Sequence, residues 1–350
     1  MSQRISIPAW PDAPPRVLLS NRAVNATTAR YYREAYEYFA HYCTIRHQTQ
    51  LSAETPPPTL DRLCDEYITD LFDQYGGHLR HLAERLASGI FQELSRHFRG
   101  HLYRYSRGLQ AWRRLAPSVS HRPMPWAWVL LVCYHAARHG ELSLCRLFLM
   151  VFCGYLRGGE GLRLRARDLL VSRNGGGRTP TGMVGLGLRL LSTKTGPNQF
   201  AQIREPVVIE YLSGLQRLLH PDARLFDLTS ADANAALRRM CTAVGLPADF
   251  TLHSLRHGAA AHDYLAGVPP DIIQKRGRWR SAKTVDTYLQ CVAALTADLQ
   301  CPPAPRTLLG QPAAMLQRLQ ELLRASLSHI ERRLRHQTPA RQAARGVGRR

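Results

Sequence analysis

Residues 250–290, FTLHSLRHGAAAHDYLAGVPPDIIQKRGRWRSAKTVDTYLQ, decide how the rest of the sequence is interpreted. His253 and Arg256 stand three positions apart, so a helix would project both side chains from one face. Gly258 begins a run of small residues that allows another element to pack closely against that helix. The stretch therefore predicts a helix that presents a His and an Arg together.

Two further helices are predicted within the same stretch. Gly267 is suited to end the first helix, and Pro270 is suited to open the second. Ser281 can cap a third helix, which carries Tyr288 nine positions after Trp279. A His, an Arg, a Trp and a Tyr, which can act together on a phosphodiester, thus occur in a fixed order.

The HxxR pattern carries little information by itself in a chain with many His and Arg residues. The chain contains four copies, which begin at His101, His135, His253 and His329. The order is more specific: HSLRH, an apolar helix that ends in Gly, GRWRS, and then Tyr288. This ordered set resembles the C-terminal signature of the tyrosine recombinases, the phage integrase family, in which Trp is an alternative to His at the position of Trp279.

Two more parts of that signature occur upstream. Arg157 follows an apolar helix, and Glu160 lies three residues later, as in the family's first Arg box. Lys194 lies between two predicted strands and is the only Lys in the first 274 residues. A Lys among Arg residues favours a task that guanidinium cannot perform, namely proton donation. The family places its catalytic Lys in such a hairpin.

The resemblance implies phosphoryl transfer to a protein nucleophile. Tyr288 would attack a backbone phosphate and form a 3′-phosphotyrosyl intermediate with a free 5′ hydroxyl. Arg157 and Arg256 would neutralise charge on the non-bridging oxygens. Lys194 would protonate the leaving oxygen, and His253 would act as a hydrogen-bond partner or proton acceptor.

Three other residues complete the expected site. The Trp279 indole N–H would bind an oxygen, Glu160 would support the site from behind, and His257 would be structural or auxiliary. The resemblance implies neither metal nor ATP nor another cofactor, because the covalent link conserves the energy of the broken bond.

Each candidate also has an ordinary structural interpretation. Tyr288 and Trp279 could be core aromatic residues, because large aromatic side chains commonly anchor cores. His253 could be a satisfied buried His. Arg157 and Glu160 could form a surface pair in an Arg-rich chain. Their joint order favours the catalytic interpretation.

The predicted fold is mainly α with a small antiparallel β-sheet, in which a helical core-binding domain precedes an α+β catalytic domain. The predicted segments are a flexible arm at 1–25, a helical DNA core-binding domain at 26–115, a linker at 116–125, the catalytic domain at 126–300, a Pro-rich linker at 301–312, an amphipathic helix at 313–336 and a basic tail at 337–350. Strands are predicted at 184–191 and 201–209, joined by a turn at 196–198 and followed by a helix at 210–219.

The composition indicates which partner the protein binds and in which cellular compartment it acts. The formal net charge of +21 favours a polyanion such as double-stranded DNA, although GC-rich coding could inflate the Arg content. Eight Cys occur without a CxxC pair or a metal-like cluster, which is typical of reduced buried thiols. Apolar runs are too short to span a bilayer. We expect an intracellular protein at DNA, in a nucleoid or a nucleus, without a membrane partner.

The last predicted helix carries one apolar stripe. The stripe consists of Leu316, Leu319, Leu323, Leu327, Ile330 and Leu334. Either the chain's own catalytic domain or another subunit could cover it. Recombination between two duplexes needs four active sites, and family members assemble as tetramers on DNA. We therefore predict that the stripe is a partner surface in a homo-tetramer.

The favoured interpretation is a site-specific DNA recombinase or integrase, possibly encoded by a mobile element. The same chemistry would serve a type IB topoisomerase, which relaxes supercoils without exchanging strands. A domesticated, non-catalytic DNA-binding relative is a second alternative. A structural helical protein with a basic surface would explain none of the ordered motifs.

Overall fold

The structure is a computed structural model that describes residues 24–117, 121–171, 177–178, 184–193, 196–282, 285 and 312–346. The chain divides into two compact units, Met1–Val119 and Ser120–Arg350. The predicted fold class is confirmed, because the chain is mainly helical with a small antiparallel sheet. Lys194, Tyr288, residues 1–23 of the predicted arm, residues 301–311 of the second linker and residues 347–350 of the tail lie outside the described residues.

The first unit is built from four helices. These are α1 (Ala26–His47), α2 (Pro57–Tyr75), α3 (Arg80–Glu93) and α4 (Tyr103–Leu115). Their apolar faces meet in one core that includes Phe39, Leu86 and Trp112. The buried Asp61 carboxylate accepts the Arg104 and Tyr105 N–H groups at 2.9 and 3.1 Å, so that α2 satisfies donors in the first turn of α4.

The aromatic side chains of α1 differ in how deeply they are buried. Phe39 is fully buried, whereas Tyr38 is 54% exposed. Helix α3 ends at Glu93. Ser95 then caps a short 3-10 turn at Arg96–Phe98, because its hydroxyl accepts the His97 N–H.

The second unit holds the remaining helices and the sheet. The helices are α5 (Trp126–Arg138), α6 (Leu142–Cys153), α7 (Gly158–Leu162), α8 (Pro206–Leu218), α9 (Ser230–Ala243), α10 (Leu252–Leu265), α11 (Pro270–Gly277) and α12 (Pro312–Gly346). The apolar helices α5 and α6 pack against each other, and α10 contacts both. Buried side chains of these helices and of the sheet form one continuous core.

The sheet is centred on β3 (Val184–Thr193), which pairs antiparallel with three other strands. These are β1 (Leu169–Leu170), β2 (Gly177–Arg178) and β4 (Gly196–Ile203). The long β3–β4 hairpin runs from the Leu186–Ile203 pair to the Thr193–Gly196 pair. The hairpin was predicted correctly, but residues 196–198, predicted as its turn, belong to β4.

The boundary between β4 and α8 differs from the prediction. Residues 201–209 were predicted as a strand, but the strand ends at Ile203 and α8 already begins at Pro206. Pro206 lacks an N–H and has a φ suited to the first helical turn. The Glu205 carboxylate caps the helix by accepting the Val207 N–H at 3.4 Å. Local capping therefore overrides the strand-like composition of Val207–Ile209.

The small-residue surface of α10 is confirmed as a close contact. A Cβ on Gly258 would lie only 2.0 Å from the Met124 carbonyl oxygen. The Met124 N–H donates to the Ser254 carbonyl oxygen at 3.1 Å, and the Met124 side chain is fully buried. The predicted linker at 116–125 therefore ends inside the second unit, because its last residues pack on α10.

The C-terminal helix corrects the predicted partner surface. Helix α12 packs against α5 and α8 of its own unit, where Leu319 and Leu323 are buried in the core. Leu327 packs on Gly214 of α8, and Arg324 forms an ion pair with Glu210. The same chain therefore covers the stripe as far as Ile330, and α8 presents a small residue opposite Leu327, whereas Leu334 remains exposed. The helix also continues to Gly346, into the segment that was predicted to be a basic tail.

Six of the eight cysteines lie among the described residues, and none of these six forms a disulfide. Cys133 and Cys145 are fully buried in the core of the second unit. Among the described helices, none combines the length and the apolar character needed to cross a bilayer.

Candidate active site

Helix α10 presents three of the predicted residues. The Thr251 hydroxyl accepts the His253 N–H at 3.2 Å and caps the helix at its start. Arg256 is fully buried, His257 is buried and His253 is half-buried. The short apolar and small residues around them allow α10 to lie in the core while its polar side chains face neighbouring loops.

Arg256 is fixed by backbone carbonyl groups from two different loops. Its Nη1 donates to the Tyr155 carbonyl oxygen at 2.6 Å, and its Nη2 donates to the Gly277 carbonyl oxygen. The guanidinium carbon also lies 4.7 Å from the centre of the Trp279 ring. A buried guanidinium needs hydrogen-bond partners, and these contacts hold its plane in one orientation.

Arg157 and Glu160 form the second part of the site. Arg157 precedes α7, and its backbone N–H donates to Glu160 Oε2 at 2.9 Å. The Arg157 Nη1 donates to the other carboxylate oxygen at 2.7 Å. The Arg157 side chain remains 24% exposed, whereas that of Glu160 is 2% exposed. Glu160 therefore holds Arg157 from behind and leaves part of its guanidinium accessible.

The Glu160 carboxylate is kept ionised in spite of its burial. Burial would raise its pKa, but the Arg157 backbone N–H and the charges of Arg278 and Arg157 together hold the pKa below its ordinary value. A permanently negative Glu160 is therefore a stable anchor for the two guanidinium groups.

Arg278 is a site residue that the sequence interpretation missed. Its Nη2 donates to Glu160 Oε2 at 2.7 Å and lies 3.4 Å from the Tyr155 carbonyl oxygen. The first contact joins residues 118 positions apart. No clear signal in the sequence pointed to it, because Gly277 was taken as the residue that closes the helix, whereas Arg278 is the left-handed C-cap and its N–H donates to the Lys275 carbonyl oxygen at 3.1 Å.

Tyr155 is the second residue that was missed. It adopts a left-handed φ of 51°, and its hydroxyl donates to Asp263 Oδ2 at 2.6 Å. Asp263 also forms an ion pair with Arg276, whose guanidinium carbon lies 4.8 Å from the centre of the Tyr155 ring. This anchoring fixes the Tyr155 carbonyl group that Arg256 and Arg278 share.

Trp279 packs directly after α11. Its ring fits because Gly277 has no side chain: a Cβ there would lie 1.8 Å from the indole ring. The ring is 8% exposed and stands at 73° to the ring of Tyr155, with centres 6.0 Å apart. Trp279 therefore lies beside Arg256 and packs as a core aromatic residue does.

Three histidines form a cluster beside Arg256. The ring centres of His253 and His257 are 4.7 Å apart, and His121 lies 5.0 Å from His253 and 6.1 Å from His257. Burial, together with the neighbouring His253, His121 and Arg256, lowers the pKa of His257 to about 3. His257 is therefore neutral at physiological pH. His121 was not predicted, because it lies in the segment taken as a linker.

Lys194 and Tyr288 lie outside the described residues, so the structure tests neither assignment. Their neighbours are described. Thr193 and Gly196 pair with each other on either side of Lys194 in the β3–β4 hairpin. Val285, three positions before Tyr288, is helical and buried in the core of the second unit.

The described part of the site is a cluster of guanidinium groups in fixed positions, of which Arg157 is the most exposed and Arg256 is fully buried. Arg157 and Arg256 are connected through Glu160, Arg278 and the Tyr155 carbonyl group. Fixed guanidinium groups suit the non-bridging oxygens of a phosphate. Within the described ranges, no group of three or more His, Cys, Asp or Glu residues is arranged to hold a metal ion.

A comparison with known protein families gives a match within the second unit. Residues 216–293 match the phage integrase family. The match includes the positions of His253, Arg256, Trp279 and Tyr288 and lies C-terminal to Arg157 and Lys194. Over these residues the match confirms the resemblance to the phage integrase family, that of the tyrosine recombinases, which was stated from the sequence.

Solved structures of several recombinases are similar to this chain. XerH site-specific recombinase bound to difH substrate is 15% identical over 75% of this chain and 92% of that chain, with a TM-score of 0.39. A lambda integrase dimer bound to a COC′ core site is 16% identical over 78% of this chain and 74% of that chain, with a TM-score of 0.48. The Tn1549 transposon integrase in complex with transposon right end DNA is 12% identical over 81% of this chain and 96% of that chain, with a TM-score of 0.49. No curated protein matches the sequence.

Proposed function

We propose that this protein is a site-specific DNA recombinase that breaks and rejoins DNA through a phosphotyrosyl intermediate at Tyr288. The observation that carries the proposal is the shared support of Arg157 and Arg256. One network of Glu160, Arg278 and the Tyr155 carbonyl group holds both guanidinium groups, and Arg256 lies in the same family match as Tyr288. Two guanidinium groups in fixed positions stabilise the charge of a phosphoryl-transfer transition state.

The proposed reaction balances without an external cofactor. The Tyr288 oxygen bonds to the scissile phosphorus, and the bond from phosphorus to the 5′ oxygen breaks. His253 takes the tyrosine proton, and Lys194 gives a proton to the leaving 5′ oxygen. Attack by a 5′ hydroxyl of another strand reverses these steps and releases Tyr288, so neither ATP nor a metal is required.

Double-stranded DNA is the proposed partner. A formal net charge of +21 favours a polyanion and supplies the salt-dependent part of DNA affinity. We assign core-site binding to the helical first unit and catalysis to the second. Exchange between two duplexes needs four nucleophiles, so the proposed active assembly is a tetramer on paired sites. The protein would act wherever its DNA lies, in a nucleoid or a nucleus.

A covalent trapping experiment tests the proposal. Purified protein is incubated with nicked suicide duplexes made from the DNA that flanks its gene, in excess EDTA and without ATP. The expected product is an SDS-resistant protein–DNA adduct with a free 5′ hydroxyl. Paired uncut duplexes should then give exchanged strands, whereas relaxation of a supercoiled plasmid without exchange would indicate topoisomerase activity. Cleavage that requires Mg²⁺ would contradict the proposed chemistry.

A further inference from the structure

Arg278 combines two features that a chain normally avoids. It has a left-handed φ of 55°, which is unfavourable for any residue with a Cβ. Its charged side chain is also only 9% exposed. A glycine would make the same turn without strain, and an exposed side chain would avoid desolvation. The contacts of the guanidinium group must therefore offset both costs.

Those contacts involve the groups that hold Arg157 and Arg256, the two arginines assigned to the phosphate. The Arg278 Nη2 donates to Glu160 Oε2, while Arg157 binds the other oxygen of the same carboxylate. The same Nη2 lies 3.4 Å from the Tyr155 carbonyl oxygen, which accepts Arg256 Nη1 at 2.6 Å. Burial lowers the pKa of Arg278, and the Glu160 charge opposes this effect.

We infer that Arg278 is a positioning residue that sets the relative placement of Arg157 and Arg256 without binding the phosphate itself. The left-handed turn directs the side chain inward to Glu160, away from a DNA-facing position. The inference deepens the proposed function and rests on it, because the two arginines matter for the rate only if the site transfers a phosphoryl group.

The first test separates the chemical step from DNA binding. Arg278→Gly keeps the turn and removes the guanidinium group, so the single-turnover rate of adduct formation at saturating DNA should fall about 10–100-fold. The dissociation constant for DNA should change by less than about threefold, since the side chain is buried. Arg278→Lys, which can still bind Glu160, should recover part of the rate. Millimolar methylguanidinium should raise the rate of the Gly variant and not that of the wild type.

Two results of this test would overturn the inference. An unchanged rate in Arg278→Gly would show that the network does not depend on the side chain. A loss of DNA affinity with an unchanged rate at saturation would show that Arg278 contacts DNA directly. Either result leaves the proposed function intact, provided that the wild type forms the adduct.

The second test does not depend on activity. The melting temperatures of Arg278→Gly, Glu160→Gln and the double variant form a thermodynamic cycle. The decrease in melting temperature of the double variant should be smaller than the sum of the decreases in the two single variants, because both substitutions disrupt the same contact. Gln48→Gly, at an exposed residue with a φ of 52°, measures the effect of releasing a left-handed turn alone. Additive decreases in melting temperature would refute the coupling between Arg278 and Glu160. Failure of the wild type to form the DNA adduct would instead refute the proposed function.

Discussion

The carbonyl oxygen of Tyr155 accepts a hydrogen bond from the buried guanidinium group of Arg256 at 2.6 Å. This bond joins α10 to the loop that leads into Arg157, two residues after Tyr155. The left-handed conformation of Tyr155 points its carbonyl group towards Arg256, and the bond from its hydroxyl to Asp263 keeps the ring in place. A main-chain group therefore links the two arginines that we assign to the phosphate.

Arg256→Lys should lower the single-turnover rate of DNA cleavage by about 10²–10³-fold. A lysine cannot bind the carbonyl groups of Tyr155 and Gly277 with the planar geometry of a guanidinium group, and it loses the stacking on Trp279. Adduct formation at saturating DNA measures the effect. Arg238→Lys, an exposed substitution on α9, is the matched control. Equal rates in the two variants would contradict the role of Arg256.

Lys194→Ala should be severely slowed on normal DNA and largely restored on DNA whose bridging 5′ oxygen is replaced by sulfur. Sulfur leaves without a proton, so a general acid is no longer needed. Parallel cleavage of the two substrates by the wild type and the variant measures the effect. Equal defects on both substrates would mean that Lys194 only binds phosphate.

The stability of the protein should decrease as the pH falls from about 6.5 towards 5, in part because of His257. The unfolded chain binds a proton at His257 below its ordinary pKa of 6.5, whereas the folded chain, with a pKa of about 3, does not. Because the unfolded state binds more protons in this window, a single group can lower stability by up to about 1.4 kcal/mol per pH unit.

Thermal unfolding at pH 7 and pH 5 compares the wild type with His257→Gln. The variant should lose less stability between pH 7 and pH 5, because it lacks the contribution of His257. It should still lose some stability, because the other titrating groups remain. His121, His253 and Arg256 face His257 and keep its protonation unfavourable in the folded state. Identical pH dependence in the two proteins would contradict a buried neutral His257.

Leu323→Ala should destabilise the catalytic unit by about 2–5 kcal/mol, because Leu323 is buried where α12 enters the core. The control is Leu334→Ala on the same helix, where the side chain is 38% exposed and the expected loss is below about 1 kcal/mol. Chemical denaturation measures the free energy of unfolding of both variants. Equal losses would show that α12 does not rely on burial against its own unit.

The parts of the fold that follow from local pattern could be predicted from the sequence. Helix α5 begins directly after Pro125, where residues 126–134 form a continuous apolar run. Helix α10 and the helix-ending Gly267 follow from capping and left-handed turn preferences. The β4–α8 boundary was missed because two capping residues, Glu205 and Pro206, outweighed a β-branched run.

Contacts between distant residues could not be predicted from pattern. The Arg278–Glu160 ion pair depends on two loops that meet only in the folded unit. The contact of His121 with His253 depends on the return of the linker onto α10. The covering of the α12 stripe depends on Gly214 of α8, and periodicity indicates an apolar face without identifying its partner.

The central claim is that Tyr288 is the nucleophile, and mass spectrometry of the trapped adduct tests it most directly. After nuclease digestion, the wild-type adduct should yield a peptide with a nucleotide on Tyr288, whereas Tyr288→Phe should bind the same DNA and yield no adduct. An adduct in Tyr288→Phe, or a nucleotide on another residue of the wild type, would contradict the account.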